Sequence, residues 1–263
     1  MIDAKRMATT TGATISDENM IDIEKCKLRL SAKFDDYCAK IIRDMNTIGV
    51  SVIDHFMGQL GELVLQEVLY LYQTVVFSDG KVVNNEMVRD SAGSREKIRG
   101  DSIYWVNGSE PNCRFISHLM TTLDRIVFKC NKMNNNGLMG INSISSRTSA
   151  MIACYPGQES SYKQHADNTI ADGRYITCIY YINKDWVPAR DGGLLRIYPS
   201  QVSGQQPLNI APEFDRLICF WSDRRNLHEV LPTRRLRFAI TVWYFDDEER
   251  RRFRQRVAKS RAK

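Results

Sequence analysis

Apolar residues in the first half of the chain recur at the spacing of an α-helix. After Ser16 they fall three, four or seven positions apart on one stripe, which ends before Gly49. "VSVIDHF" at 50–56 alternates like a short strand, and the amphipathic pattern returns in "GQLGELVLQEVLYLY" at 58–72 and again over 116–129. The pattern therefore predicts a helical first half that contains one short strand.

After Arg147 the pattern changes to short apolar runs rich in β-branched and aromatic residues, such as "YITCIYYI", "RLICFW" and "FAITVWYF". Gly, Pro, Asn and Asp separate the runs, as expected for a sandwich or barrel of antiparallel strands. The run "RFAITVWYF" is apolar on both faces apart from Arg237 and Thr241, so another layer must cover its outer face. We therefore predict an α+β fold in which N-terminal α-helices buttress a double-stranded β-helix (jelly-roll) core.

The same patterns predict how the chain is divided. Residues 1–15 are small, polar and rich in threonine, and we expect a disordered arm there. Residues 16–247 form one domain, with helical support over 16–146 and the barrel over 147–247. Residues 248–263 form a basic C-terminal helix or tail.

Composition narrows the functional classes. A chain that is 43% hydrophobic and 26% charged is typical of a soluble domain, and no apolar run is long enough to span a membrane. Seven cysteines without CxxC pairs favour a reducing compartment, so we expect a cytoplasmic or nuclear protein.

Residues 248–263 carry eight Arg or Lys and two Glu, which accounts for the whole net charge of +6. Such a tail could contact nucleic acid or direct nuclear import, but without a nucleic-acid motif a solvated helix is favoured and no nucleic-acid partner is expected.

"HADN" contains the first candidate for chemistry. His165 and Asp167 are two positions apart, so on a strand they point to the same face. Alone, the pair indicates a metal only weakly, because a histidine satisfied by a polar neighbour is commoner. His228, 61 residues after Asp167, changes this: on a strand facing the first across the barrel mouth it would complete the facial triad of non-haem Fe(II) enzymes. Zinc can use the same ligands. His55 and His118 have no carboxylate at ligand spacing and are interpreted as structural.

Arg237 indicates which metal chemistry is involved. It lies nine residues after His228 and shares a strand face with Thr241 and Trp243, without an acidic residue on that face. A guanidinium that points into a barrel is costly unless it meets an anion, and its fork suits a carboxylate. 2-Oxoglutarate could chelate iron at one end and meet Arg237 at the other. An internal salt bridge to another strand is the alternative.

Other strands provide candidates by the same alternation. Met151 and Tyr155 share one face of "MIACY", Ile179 and Tyr181 share one face of "YITCIYYI", and Leu195 lies in "GGLLRIYP". Tyr181 or Tyr155 could give the distal carboxylate of the co-substrate a second donor. Alternation alone does not decide which face points inward.

Longer motifs accompany these residues: "KIRGDSIYW" (97–105), "MIACYPG" (151–157), "HADN" (165–168), "DGRYITCIYYINKDW" (172–186), "GGLLRIYP" (192–199), "FDRLICFWSDRRNLHEV" (214–230) and "RFAITVWYFD" (237–246). Over about residues 35–250 the sequence resembles the prolyl hydroxylase domain enzymes that act on the α-subunit of hypoxia-inducible factor. The polar stretch before "IRGD" resembles the mobile loop of that family.

The resemblance implies a role for each candidate residue. His165, Asp167 and His228 would bind Fe(II), and Arg237 and Tyr181 would hold the distal carboxylate of 2-oxoglutarate. The pocket around that co-substrate would be lined by Tyr155, Met151, Ile179, Leu195, Thr241 and Trp243. The peptide or the loop over it would be held by Arg99, Asp101 and Arg174.

The resemblance also implies partners and an activity. The expected reaction is 4-hydroxylation of a proline in a peptide segment of the hypoxia-inducible factor α-subunit, with O₂ as second co-substrate and L-ascorbate as reductant. We expect a monomer that acts as an oxygen sensor. Two alternatives remain open: a 2-oxoglutarate-dependent hydroxylase of another protein, such as a ribosomal one, and a non-catalytic, metal-stabilised barrel that binds a peptide.

Overall fold

The first half of the protein is mainly helical. The computed structural model describes residues 21–80, 98–201 and 203–261, so the predicted arm 1–15 and residues 81–97 lie outside it. The helices of this half are α1 (Ile23–Ala32), α2 (Phe34–Thr47), α3 (Leu60–Thr74) and α4 (Arg114–Lys132). The predicted first helical segment is thus two helices, because the N–H of Lys33 bonds the carbonyl of Leu30, three residues back, and closes the first helix with a tight turn.

Twelve strands among the described residues form two antiparallel sheets. The larger sheet has the order β1-β10-β7-β12-β5-β3-β2, with β4 also paired to β12, and the smaller has the order β6-β11-β8-β9. In chain order the strands are β1 (Val50–Ile53), β2 (Ser78–Asp79), β3 (Ser102–Val106), β4 (Ser146–Arg147), β5 (Ala150–Tyr155), β6 (Ser160–His165), β7 (Arg174–Tyr181), β8 (Leu195–Pro199), β9 (Leu208–Ile210), β10 (Arg216–Trp221), β11 (Asn226–Thr233) and β12 (Arg237–Phe245). Two facing sheets of this kind confirm the predicted jelly-roll.

The central strands of the larger sheet are buried on both faces. All nine residues of β12 are buried. Alternate side chains of the sheet, such as Tyr180 and Ile240, pack in one apolar cluster with the helices, while Tyr181 and Ala239 belong to a second cluster between the two sheets. The predicted cover of "RFAITVWYF" is therefore confirmed: Tyr72 of α3 packs on Phe238, and Phe128 of α4 packs on Tyr244.

The C-terminal helix lies against the loop that follows β6. A short helix, α5 (Pro188–Asp191), precedes β8, and α6 (Asp247–Arg261) follows β12. The Nη1 of Arg250 donates to the carbonyl of Asp172 at 3.0 Å, and the α6 backbone passes so near Gly173 that a Cβ there would lie 2.8 Å from the Cα of Arg250. Within the described ranges, none of the helices has the length and apolarity that crossing a membrane requires.

Candidate metal and co-substrate site

The two histidines of the triad lie opposite each other on neighbouring strands. His165 ends β6 and His228 lies in β11, and the register of the antiparallel pair places one directly across from the other. The expectation that their strands face each other across the barrel mouth was therefore wrong, because both belong to the smaller sheet. Asp167 lies two residues beyond the end of β6, in a bend, and not on the strand as predicted.

These three side chains converge on one point. The Nε2 atoms of His165 and His228 each lie 3.8 Å from the Oδ1 of Asp167. The Nδ1 of His165 donates to the carbonyl of Lys163 at 2.8 Å, and that of His228 donates to the carbonyl of Asn226 at 3.0 Å. These bonds fix the tautomer that leaves both Nε2 lone pairs free for a metal.

The surroundings of His165 and Asp167 lower the pKa of both side chains. Burial and the adjacent His228 lower the pKa of His165 to about 3. Burial acts to raise the pKa of Asp167, but the imidazoles of His228 and His165 and a hydrogen bond from Thr177 outweigh it, and the pKa lies below its usual value. Two neutral imidazoles and one carboxylate fit Fe(II), although zinc can use the same donors.

Arg237 lies in the interior with neutral partners. It is 1% exposed; its Nε donates to the carbonyl of Gly193 at 2.9 Å and its Nη2 to the hydroxyl of Tyr181 at 3.0 Å. Its guanidinium carbon is 4.9 Å from the ring centroids of both Tyr181 and Tyr155. No carboxylate of residues 21–80, 98–201 or 203–261 pairs with it, so the alternative of an internal salt bridge is not seen there. A buried cation without an anionic partner is suited to an anionic ligand.

One cavity of about 720 Å³ connects the triad with Arg237. Every residue predicted to surround the co-substrate lines this cavity, namely Met151, Tyr155, Ile179, Tyr181, Leu195, Arg237, Thr241 and Trp243. Strand alternation therefore grouped these residues correctly, and the structure gives the inward direction that alternation lacked. Their contacts with 2-oxoglutarate remain a prediction.

Of the three residues predicted to hold the peptide or its loop, two line the cavity. Arg99 forms a two-pronged ion pair with buried Asp101, at 2.6 and 2.9 Å, so the carboxylate lies behind the arginine and not at the cavity surface. The Nη1 of Arg174 donates to the carbonyl of Asp167 at 3.1 Å, and its guanidinium carbon lies 4.7 Å from the ring centroid of Trp243. These contacts tie Arg174 to the metal loop and the cavity wall. Direct binding of a peptide by any of the three remains a prediction.

The sequence interpretation missed Tyr162 and Trp105. Tyr162 stacks on the ring of His165 at a centroid distance of 3.6 Å. Strand alternation would place the two on opposite faces, and an irregularity in the β6–β11 register brings them together. Trp105 is 42% exposed at the mouth of the cavity, with its ring 6.0 Å from that of Trp243. Neither contact leaves a signal in the sequence.

The two remaining histidines lie away from the triad. His55 occupies a positive-φ turn after β1, at φ +54°. His118 lies in α4, and burial lowers its pKa. Among the described residues, His165, Asp167 and His228 form the only cluster of three or more potential ligands.

Residues 150–245 match the family model of the 2OG-Fe(II) oxygenase superfamily. It is 46% identical over 213 residues to human "Egl nine homolog 1", covering 81% of this chain and 47% of that protein. It is 42% identical over 211 residues to human "Prolyl hydroxylase EGLN3", covering 80% of this chain and 84% of that protein. The chain thus spans about half the length of the first of these relatives.

A solved structure agrees with these relatives. A prolyl hydroxylase from Trichoplax adhaerens, in complex with a peptide of the hypoxia-inducible factor oxygen degradation domain, is 38% identical with a TM-score of 0.75. The match covers 89% of this chain and 98% of that one. The jelly-roll, the triad and the buried arginine agree with the 2OG-Fe(II) oxygenase superfamily that the family model describes. The chain belongs, within that superfamily, to the family of the Egl nine prolyl hydroxylases.

Proposed function

We propose that the protein is an Fe(II)- and 2-oxoglutarate-dependent prolyl 4-hydroxylase of the hypoxia-inducible factor α-subunit. The observation that carries the proposal is one cavity with a His-Asp-His triad at one side and, at the other, a buried arginine whose hydrogen-bond partners among the described residues are neutral. A dicarboxylate bound to the metal at one end can meet Arg237 at the other. The peptide bound to the Trichoplax relative supports the choice of substrate.

The residues of the cavity have separate tasks in this reaction. Bound Fe(II) supplies the redox chemistry that couples oxidation of 2-oxoglutarate to succinate and CO₂ with hydroxylation of proline by O₂. The guanidinium of Arg237 and the hydroxyl of Tyr181 hold the distal carboxylate and set the position of its keto end. The apolar side chains of Met151, Ile179 and Leu195 exclude water from the co-substrate.

The proposal extends to the setting of the reaction. The protein acts as a monomer in the cytoplasm or nucleus and uses ascorbate to restore oxidised iron. Because O₂ is consumed, the hydroxylation rate reports oxygen supply, and the modified proline marks the transcription factor for degradation. The absence of CxxC pairs and of an apolar span in the sequence supports the compartment.

The test is succinate formation by the Fe(II)-loaded protein with 2-oxoglutarate, O₂ and ascorbate. The substrate is a peptide from the oxygen degradation domain of hypoxia-inducible factor, and the matched control has alanine in place of its proline. Peptide-dependent succinate, with one oxygen atom added to the proline, is the expected result. If succinate forms at the same rate with and without the peptide, the protein is a 2-oxoglutarate-dependent oxygenase but the proposed substrate is wrong. Metal and peptide binding without succinate would instead favour the non-catalytic barrel.

A further inference from the structure

The carboxylate of Asp167 uses its two oxygens differently. Its Oδ1 lies 3.8 Å from the Nε2 atom of each triad histidine, whereas its Oδ2 accepts a hydrogen bond from the hydroxyl of Thr177 at 2.6 Å. The first oxygen therefore faces the metal position, and the second faces the wall of the larger sheet. A carboxylate otherwise has broad freedom about its last torsion, so this bond selects one orientation.

The hydroxyl of Thr177 is itself held in place. It has one proton, which it donates to Asp167, so the hydroxyl of Ser222 at 2.8 Å must donate to it. Both side chains are fully buried, with 0% exposure. Ser222 is fixed by its backbone, because its N–H donates to the carbonyl of Tyr175 and its own carbonyl accepts from the N–H of Asn168. A chain of hydrogen bonds thus leads from the backbone at Ser222 through Thr177 to the metal ligand Asp167.

We propose that Thr177, oriented by Ser222, is the positioning residue that makes Asp167 a one-oxygen ligand. Thr177 donates its hydrogen bond to the carboxylate of Asp167 and acts on the metal position through it. Asp167 is two residues beyond the end of β6 and lacks the strand pairing that fixes His165 and His228, so it depends more on side-chain contacts for its direction. Residues that orient metal ligands typically alter metal affinity by about 10- to 100-fold when they are replaced. The inference rests on the proposed metal site but not on the proposed substrate.

The test measures the affinity of the metal-free protein for Co(II) from the visible absorption of the bound ion, without substrate. Thr177→Val keeps the shape and removes the hydroxyl, and we expect affinity to fall by about 10- to 100-fold with a changed absorption band. Thr177→Ser restores the hydroxyl and should recover most of the affinity. The matched control is Thr122→Val, which removes another buried threonine hydroxyl, bonded to the carbonyl of His118 in α4.

Each outcome has a distinct meaning. Equal affinity and spectrum for wild type and Thr177→Val, with Thr122→Val also unchanged, would overturn the positioning role alone. No Co(II) binding by the wild type would overturn the metal site and the positioning role together. If Thr177→Val does not fold, Ser222→Ala provides the second variant: a smaller loss in the same direction is expected, and wild-type affinity would contradict the proposal.

Discussion

His165 and His228 are paired across two neighbouring antiparallel strands, with ring centroids 4.2 Å apart. Successive side chains of a strand point to opposite faces, so a shift of one residue between β6 and β11 would turn one imidazole away from the cavity. The metal site therefore depends on strand register as much as on the identity of its ligands.

Replacing the triad carboxylate should separate an enzyme from a binding module. Asp167→Ala removes the only negatively charged ligand of the triad, and we expect metal binding and succinate formation to fall below detection. A non-catalytic barrel that only binds peptide would keep its affinity for the peptide. Metal content and succinate are measured beside Asp35→Ala, which removes an exposed carboxylate on α2 and should behave as wild type.

Removing the positive charge at the far end of the cavity should weaken co-substrate binding. In Arg237→Gln we expect the KM for 2-oxoglutarate to rise about 100-fold, because removing one partner of a buried charge pair typically costs about 2–5 kcal/mol and leaves the other charge unpaired. Arg237→Lys should recover only part of this, since an ammonium lacks the fork. Arg196→Gln, which removes an arginine paired with Glu229 outside the cavity, is the control. A KM within twofold of wild type in Arg237→Gln would reject the assignment.

The contact between the C-terminal helix and the metal loop requires glycine at position 173. Gly173 has φ +98°, and an added Cβ would lie 2.8 Å from the Cα of Arg250. We expect Gly173→Ala to lower the free energy of unfolding by about 3 kcal/mol, combining backbone strain with a backbone clash. The matched control is Gly58→Ala, because Gly58 also has positive φ but no atom lies within 4 Å of the added Cβ. We expect this control to lower the free energy of unfolding by about 1 kcal/mol. If denaturant titrations show the same loss of unfolding free energy in Gly173→Ala and Gly58→Ala, the contact with Arg250 does not require glycine.

Asp191 should make folding sensitive to acid. The Arg190 guanidinium, the N–H of Val187 and Arg235 together lower the pKa of Asp191 to about 2. Since the folded value lies below the unfolded value of about 3.9, the stabilisation is complete above that value and is lost as the pH falls towards 2. Denaturant titrations between pH 6 and pH 3 should therefore show a smaller loss of unfolding free energy in Asp191→Asn than in wild type. The same slope in both proteins would contradict this.

Much of the fold followed from periodicity in the sequence. Apolar runs gave strands β5, β7, β10 and β12 with small errors at their ends, because buried strands need continuous apolar residues. Strands β6 and β11 were not recognised as strands by pattern, since "SSYKQH" and "NLHEVLPT" are half exposed and carry polar side chains. The two strands that carry the histidines therefore lack the apolar run that marks β5, β7, β10 and β12.

The site was predictable as a set of residues but not as a geometry. The triad and Arg237 could be chosen from residue chemistry. The pairing of β6 with β11 joins segments far apart in the chain, and no local pattern encodes it. By alternation Thr177 shares a strand face with Ile179 and Tyr181, but its bond to Asp167 depends on a bend after β6 that no local pattern predicts.

The backbone carbonyl of Gly193 and the hydroxyl of Tyr181 orient Arg237 without neutralising it. Among the described residues no anion compensates this buried charge, and a bound dianion would do so. A ligand that binds only the folded state shifts the folding equilibrium according to its concentration. The resistance of this protein to unfolding, and through it the abundance of the protein in a cell, should therefore follow the supply of a central metabolite.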